Sequence, residues 1–199
     1  MPDVTVNAAD GGSFGAYLAR PQSGKGPSVV VLTEDPNANV AARCDQLAAQ
    51  GYIALAPKLP RGIGLADLQA AITHARTLEG ASGKVGALAF GGSLAYAAAC
   101  FTDVDASVGY YPVGIEKMMS DAGRITKWCL LHMAENDELC PPEVQKYIYG
   151  SLIGIIFYSI YSYKGVGHSF ARKDSPNYNK EAADLANART EKFLKENLQ

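Results

Sequence analysis

The sequence lacks most of what would tie it to a nucleic acid, a structural metal or a membrane. Its 18 lysines and arginines are outnumbered by 20 aspartates and glutamates, for a formal net charge of −2, and no basic patch gathers in the chain. A nucleic-acid partner is therefore not expected. Cysteine is scarce: Cys44, Cys100, Cys129 and Cys140 are widely scattered, with no CxxC pair and no histidine at ligand spacing. That pattern argues against structural zinc and against a disulfide framework, and it suits a reducing cytoplasm. The start, "MPDVTVNAAD", has neither a basic opening nor an apolar run, so no signal peptide is read and a cytoplasmic location is expected. The uncharged stretch Tyr147–Tyr163 is short for a spanning helix and rich in Gly, Ser, β-branched and aromatic residues. It reads as a helix end followed by a buried strand, not as a membrane segment.

What the chain does have is strand alternating with helix. After a hairpin signal around Asp10-Gly11-Gly12, the β-branched run Gly26–Glu34 reads as a strand buried on both faces. Helices are predicted over Asn39–Gln50, Leu65–Leu78, Leu94–Phe101 and Asn179–Asn197, the last with Ala182, Leu185, Ala186, Phe193 and Leu194 towards one face. Strands are predicted over Tyr52–Pro57, Lys84–Phe90, Ala106–Tyr111, Lys127–Met133 and Ile153–Tyr163. This order predicts an α/β fold over residues 1–199 as one domain, with a mostly parallel twisted sheet and helices on both faces. A chain of 199 residues with 48% hydrophobic residues suits one well-buried core.

Parallel sheets hold their ligand sites beyond the carboxyl ends of their strands, and the loops at those ends carry the chemistry. "LTEDPNAN" brings Glu34 and Asp35, "MAENDELCPP" brings Glu135, Asp137 and Glu138, and "KGVGHSFAR" brings His168 and Arg172. His168 stands in a glycine-flanked loop, suited to a general base. An acid after one strand and a histidine after the next match the order nucleophile, acid, histidine of a catalytic triad. Asp137 is the candidate acid, to hold the His168 tautomer. His132, inside an apolar strand, and His74, on a helix without a partner, are read as structural.

The blocks "VGYYPVGIEK", "LLHMAENDELCPPE", "GVGHSFAR" and "ADLANARTEKFL" resemble the dienelactone hydrolase family of α/β-hydrolases over most of the chain. The resemblance implies Asp137 and His168 as acid and base, and Glu34 in contact with the nucleophile of the resting enzyme. It implies Arg172, and Arg61 in "KLPRG", as holders of a substrate carboxylate, which an arginine fork suits. It further implies a small cyclic ester or another small ester as substrate, no cofactor or metal, no membrane, and a monomer. The stretch between Arg61 and Lys84 is shorter than in the family.

The family's nucleophile is a cysteine in Gly-aromatic-Cys-x-Gly-Gly, and here "VGALAFGGSLAYAAAC" has the Gly-Gly without the cysteine. Three registers are open. Keeping the Gly-Gly in place puts Ala89 in the nucleophile slot, and counting from Lys84 without a gap puts Gly91 there. The third takes Gly91 to Ala95 as a G-x-S-x-A elbow with Ser93 as nucleophile, and with the Leu94 N–H and one near Asp35 as oxyanion donors. Cys140, beside the Asp137 loop, is the cysteine nearest to the site in this reading. The expected function is hydrolysis of small carboxylate-bearing esters or lactones. The alternative is a catalytically silent fold that binds a small acid through Arg61 and Arg172.

Overall fold

A computed structural model of the chain describes residues 3–8, 11–35, 40–58 and 62–199. It contains an eight-stranded sheet in the order β1-β2-β4-β3-β5-β6-β7-β8. The strands are β1 (Asp3–Asn7), β2 (Ser13–Ala19), β3 (Gly26–Thr33), β4 (Ile53–Lys58), β5 (Ala81–Phe90), β6 (Ala106–Tyr110), β7 (Trp128–Ala134) and β8 (Tyr158–Tyr163). β1 and β2 pair antiparallel, as the hairpin signal predicts, although Asp10 of the turn lies outside the described residues. β2 also runs antiparallel to β4, and the pairs from β4 through β3 to β8 are parallel. The helices are α1 (Val40–Ala49), α2 (Leu65–Thr77), α3 (Gly92–Phe101), α4 (Pro142–Ser151) and α5 (Lys180–Leu198). A 3-10 helix over Ile115–Arg124 was not foreseen.

The central strands show why the sheet is covered on both sides. On β3, Val29 and Val31 join the core with Cys44 and Leu47 of α1 and Ala186 and Leu194 of α5. Their alternates Val30 and Leu32 join the core with Leu68 and Ile72 of α2 and Ala95 and Ala98 of α3. A period of two thus feeds two separate cores, which is what an uninterrupted apolar strand requires. On α5 the buried row is Ala183, Ala186, Thr190, Leu194 and Leu198; Leu185, predicted inward, is exposed. Thr190 is tolerated inside because its hydroxyl meets His132 Nε2 at 2.9 Å and Tyr110 Oη at 2.8 Å. His132 is thus a satisfied core residue, as read from the sequence.

Two further expectations are corrected. The run Tyr147–Tyr163 does end a helix and enter a strand, but β8 is short and lies at the sheet edge, half exposed rather than buried. With one face of an edge strand against solvent, tyrosines and serines replace the aliphatic residues of a central strand. Among the described residues no helix is long and apolar enough to cross a membrane. The other correction is at the start of α3, which begins at Gly92 rather than at Leu94.

The start of α3 lies hard against the chain leaving β6. A side-chain carbon at Gly92 would run into the Pro112 backbone, with the Pro112 nitrogen only 2.8 Å away. Gly92→Ala is expected to destabilise the fold by about 3 kcal/mol, the upper range for an overpacked position whose neighbour is backbone and cannot swing aside. Urea unfolding checks this, and a loss below about 0.5 kcal/mol would contradict the close approach.

Candidate active site

Four chain segments meet at the carboxyl ends of the parallel strands: those after β3, β5, β7 and β8. The β7–β8 ladder continues into the loops, with the Glu135 N–H donating to Tyr163 O at 3.0 Å and the Asn136 N–H to Val166 O at 3.0 Å. That extension carries Asp137 and His168 to the same point. His168 Nδ1 lies 2.9 Å from Asp137 Oδ2 and 3.1 Å from Oδ1. An ionised carboxylate only accepts, so Nδ1 carries the proton and a neutral ring presents its lone pair at Nε2. Asp137 is 3% exposed and also accepts the Leu139 N–H at 3.0 Å. Glu135, in the same acidic loop, instead accepts the Gly165 N–H at 2.9 Å.

The imidazole and the loop that carries it are braced together. The Tyr111 ring packs against it at 5.1 Å between centroids, and the Tyr111 hydroxyl accepts the Ala171 N–H at 2.9 Å. Asn177 donates to His168 O at 3.0 Å. Tyr111 and Ser169 both adopt positive φ, 56° and 62°, a conformation that side-chain-bearing residues take up at a cost. The sequence reading did not single out Tyr111 or Asn177; "GYYPVG", a turn directly after a strand, was the available signal for the first.

The nucleophile slot resolves against two of the three registers. β5 ends at Phe90 and α3 starts at Gly92, so Gly91 is the residue at the junction, with φ +115°. Ala89 is fully buried within the strand. Ser93 lies in the first turn of α3, two residues beyond the junction, and takes no left-handed conformation. The Ser93 elbow is therefore corrected: the ladder to β6 continues through the Gly91 N–H to Tyr110 O (3.2 Å) and the Gly92 N–H to Tyr111 O (3.0 Å), which pins the junction at Gly91. Ser93 is nonetheless in the site, because its hydroxyl donates to Glu34 Oε1. The proposed oxyanion donors are also corrected. The Leu94 N–H turns back to Gly91 O at 3.3 Å, and the Asp35 N–H to Thr33 Oγ1 at 3.0 Å. The Ser93 N–H has no acceptor among the described residues.

No cysteine substitutes for the missing nucleophile. Cys140 is buried, and burial together with Asp137 pushes its thiol up to about 11. Burial likewise pushes Cys100 up to about 11, and Cys44 and Cys129 up to about 12. At neutral pH such groups are thiols, not the thiolates that attack carbonyls.

Arg172 reaches the site from the His168 loop. Its Nη1 pairs with Asp35, and its Nε donates to Asp174 at 2.9 Å. Arg61 lies outside the described residues. A groove of about 390 Å³ between β8 and α5, lined by Trp128, Tyr161 and Arg189 among others, sits away from these residues. It lacks the acid–base pair.

Residues 14–64 and 61–198 match the dienelactone hydrolase family. The chain is 34% identical over 230 aligned residues, the whole of both chains, to an Azospirillum brasilense protein whose name places it among the carboxymethylenebutenolidases. It is 31% identical over 224 residues to the carboxymethylenebutenolidase of Pseudomonas sp. strain P51, covering 96% of this chain and 94% of that one. Among solved structures, a dienelactone hydrolase-like promiscuous phosphotriesterase from metagenomic libraries superposes with a TM-score of 0.84 at 20% identity, over 100% of this chain and 99% of that one, which speaks to the fold. With an α/β sheet of this order, an acid–histidine pair beyond its strand ends and relatives matched along their whole length, the chain belongs to the dienelactone hydrolase family of α/β-hydrolases.

Proposed function

We propose that this chain hydrolyses small lactones or esters that carry a carboxylate, with His168 as general base, Asp137 as the partner that orients it, and Arg172 as the anchor for the substrate carboxylate. The observation that carries the reading is the His168–Asp137 hydrogen bond at 2.9 Å, with Nε2 left to accept a proton. The name carboxymethylenebutenolidase, borne by the relatives, denotes action on a butenolide, an unsaturated lactone, with a carboxymethylene group. The pairing of Arg172 with Asp35 and Asp174 supports the anchor role, since a substrate carboxylate presents the same acceptor geometry and can replace one of them. Arg61 is retained as a second anchor on the family resemblance.

In the reaction, the base removes a proton from the attacking oxygen as that oxygen adds to the ester carbonyl. The same imidazolium then returns the proton to the departing alcohol or enol oxygen as the carbon–oxygen bond breaks. Turnover of a simple aryl ester tests this: His168→Ala should lower kcat/KM by about 10²–10⁴-fold, the range for a positioned general base. Full activity in that variant would overturn the assignment.

A second reading has one observation in its favour: Gly91, at the strand–helix junction, brings no side-chain nucleophile. On that reading the fold binds a small organic acid without turning it over. A carboxylate ligand would then raise the melting temperature, Arg172→Ala would reduce that shift, and no ester would be hydrolysed.

A further inference from the structure

We propose that Glu34 is a catalytic residue that holds the attacking water on its carboxylate, beside a junction that carries no nucleophilic side chain, so that hydrolysis is a single displacement without an acyl-enzyme. This rests on the reading of His168 as the base. The direction of the chain at Gly91 is the first support. A side-chain carbon built there would lie 2.9 Å from Glu34 Oε2 and 3.1 Å from its Cδ and Cγ, so the Glu34 carboxylate faces the position at the junction from which a nucleophile would project. Glycine at the junction spares the carboxylate the collision that any side chain there would cause.

The carboxylate is also held by one oxygen and offered by the other. Oε1 accepts the Ser93 hydroxyl, while Oε2 makes no hydrogen bond among the described residues. Glu34 is exposed, so solvent reaches it directly. The junction and the base belong to one packed unit: the Gly92 N–H donates to Tyr111 O at 3.0 Å, and the Tyr111 ring lies against the His168 ring. No thiolate competes, because the four cysteines are buried thiols. Ser93 is then a positioning residue, fixing the carboxylate through Oε1.

The step balances without any other reagent. Glu34 Oε2 accepts a hydrogen bond from one O–H of the water, and that hydrogen stays covalently on the water oxygen throughout. As the water oxygen bonds to the ester carbonyl carbon, His168 Nε2 takes the other proton. When the bond to the leaving oxygen breaks, the imidazolium gives that proton to the leaving group, and the product acid carries the water oxygen.

Kinetics with an aryl ester and a fluorophosphonate probe test the proposal on the full chain. Glu34→Ala should lower kcat by about 10²-fold or more, as expected when the attacking atom loses its positioning, with an unchanged melting temperature. Ser93→Ala should lower kcat by roughly tenfold or less, and Ser93→Thr should regain activity, since only the donated hydrogen bond is at stake. Wild-type protein should show no burst of alcohol product and no adduct on Ser93. A Glu34→Ala variant within about threefold of wild type, a stoichiometric burst, or an inactivating adduct on Ser93 would each overturn the proposal. His168→Ala is measured alongside. Its loss of activity together with an active Glu34→Ala variant would sink only the water-holding role, whereas an inert wild-type protein would overturn both that role and the hydrolase reading.

Discussion

Asp137→Asn should reduce kcat/KM by about 10³–10⁴-fold while the fold and KM stay near their original values. The reason lies in which atoms accept. Both carboxylate oxygens of Asp137 lie within hydrogen-bond reach of His168 Nδ1, at 2.9 and 3.1 Å, and Oδ1 also accepts the Leu139 N–H at 3.0 Å. In the amide, the oxygen is drawn to the Leu139 N–H and the NH₂ is turned towards Nδ1. Nδ1 must then accept, the ring proton moves to Nε2, and the atom that should take a proton becomes a donor. The side chain keeps its shape in a site only 3% exposed, so a large stability loss is not expected. Steady-state kinetics with a thermal melt decide the matter. A fall below about tenfold would remove Asp137 from the mechanism.

The second large effect is on stability and comes from a histidine that does no chemistry. His132 is fully buried between the Tyr163 hydroxyl at 2.8 Å and Thr190 Oγ1 at 2.9 Å, with the Tyr110 and Tyr161 rings beside it. Burial, with a contribution from Arg189, whose guanidinium lies 3.9 Å above the Tyr161 ring, lowers its pKa from 6.5 to about 3. The unfolded chain therefore binds a proton between about pH 6.5 and 3 that the folded chain refuses, so stability falls as pH falls through that window and is level above it. Each unit costs about 1.4 kcal/mol, or about 2 kcal/mol between pH 7 and pH 5. Urea unfolding at the two pH values should show this loss in the wild type and a smaller one in His132→Gln, whose amide stays neutral. Equal losses in both would show that His132 is not the acid-sensitive group.

Much of this arrangement was legible in the residues. β3 was readable because an uninterrupted Val-rich run has one physical use, a strand covered on both faces, and Val29–Leu32 divide between two cores as that use demands. The pairing of Asp137 with His168 was readable because glycine-flanked and acidic turns after strands fall at one end of a parallel sheet, and the two side chains do meet there. Harder to read were residues whose role depends on remote partners. Thr190 looks like a surface residue until the Tyr110 hydroxyl and His132 reach it from two other elements. Leu185 looks inward on spacing, yet the buried row of α5 passes it by. β8 was read as longer and more buried because nothing local tells an edge strand from a central one.

The sequence alone determined an α/β chain with Asp137 and His168 at the strand ends, and four of its blocks carry the resemblance to the dienelactone hydrolase family. Hydrophobic periodicity and turn chemistry are local properties, written within a few residues of where they act. Only the tertiary structure decided what stands at the strand–helix junction. "AFGGSLA" admits Ala89, Gly91 or Ser93 there, and no local preference separates them. The choice is made by hydrogen bonds from Gly91 and Gly92 to Tyr110 and Tyr111 on the neighbouring strand end, and by the Pro112 backbone against which only glycine fits. Those partners come from another part of the chain, so the register that leaves Gly91 facing Glu34 exists only once the sheet has formed.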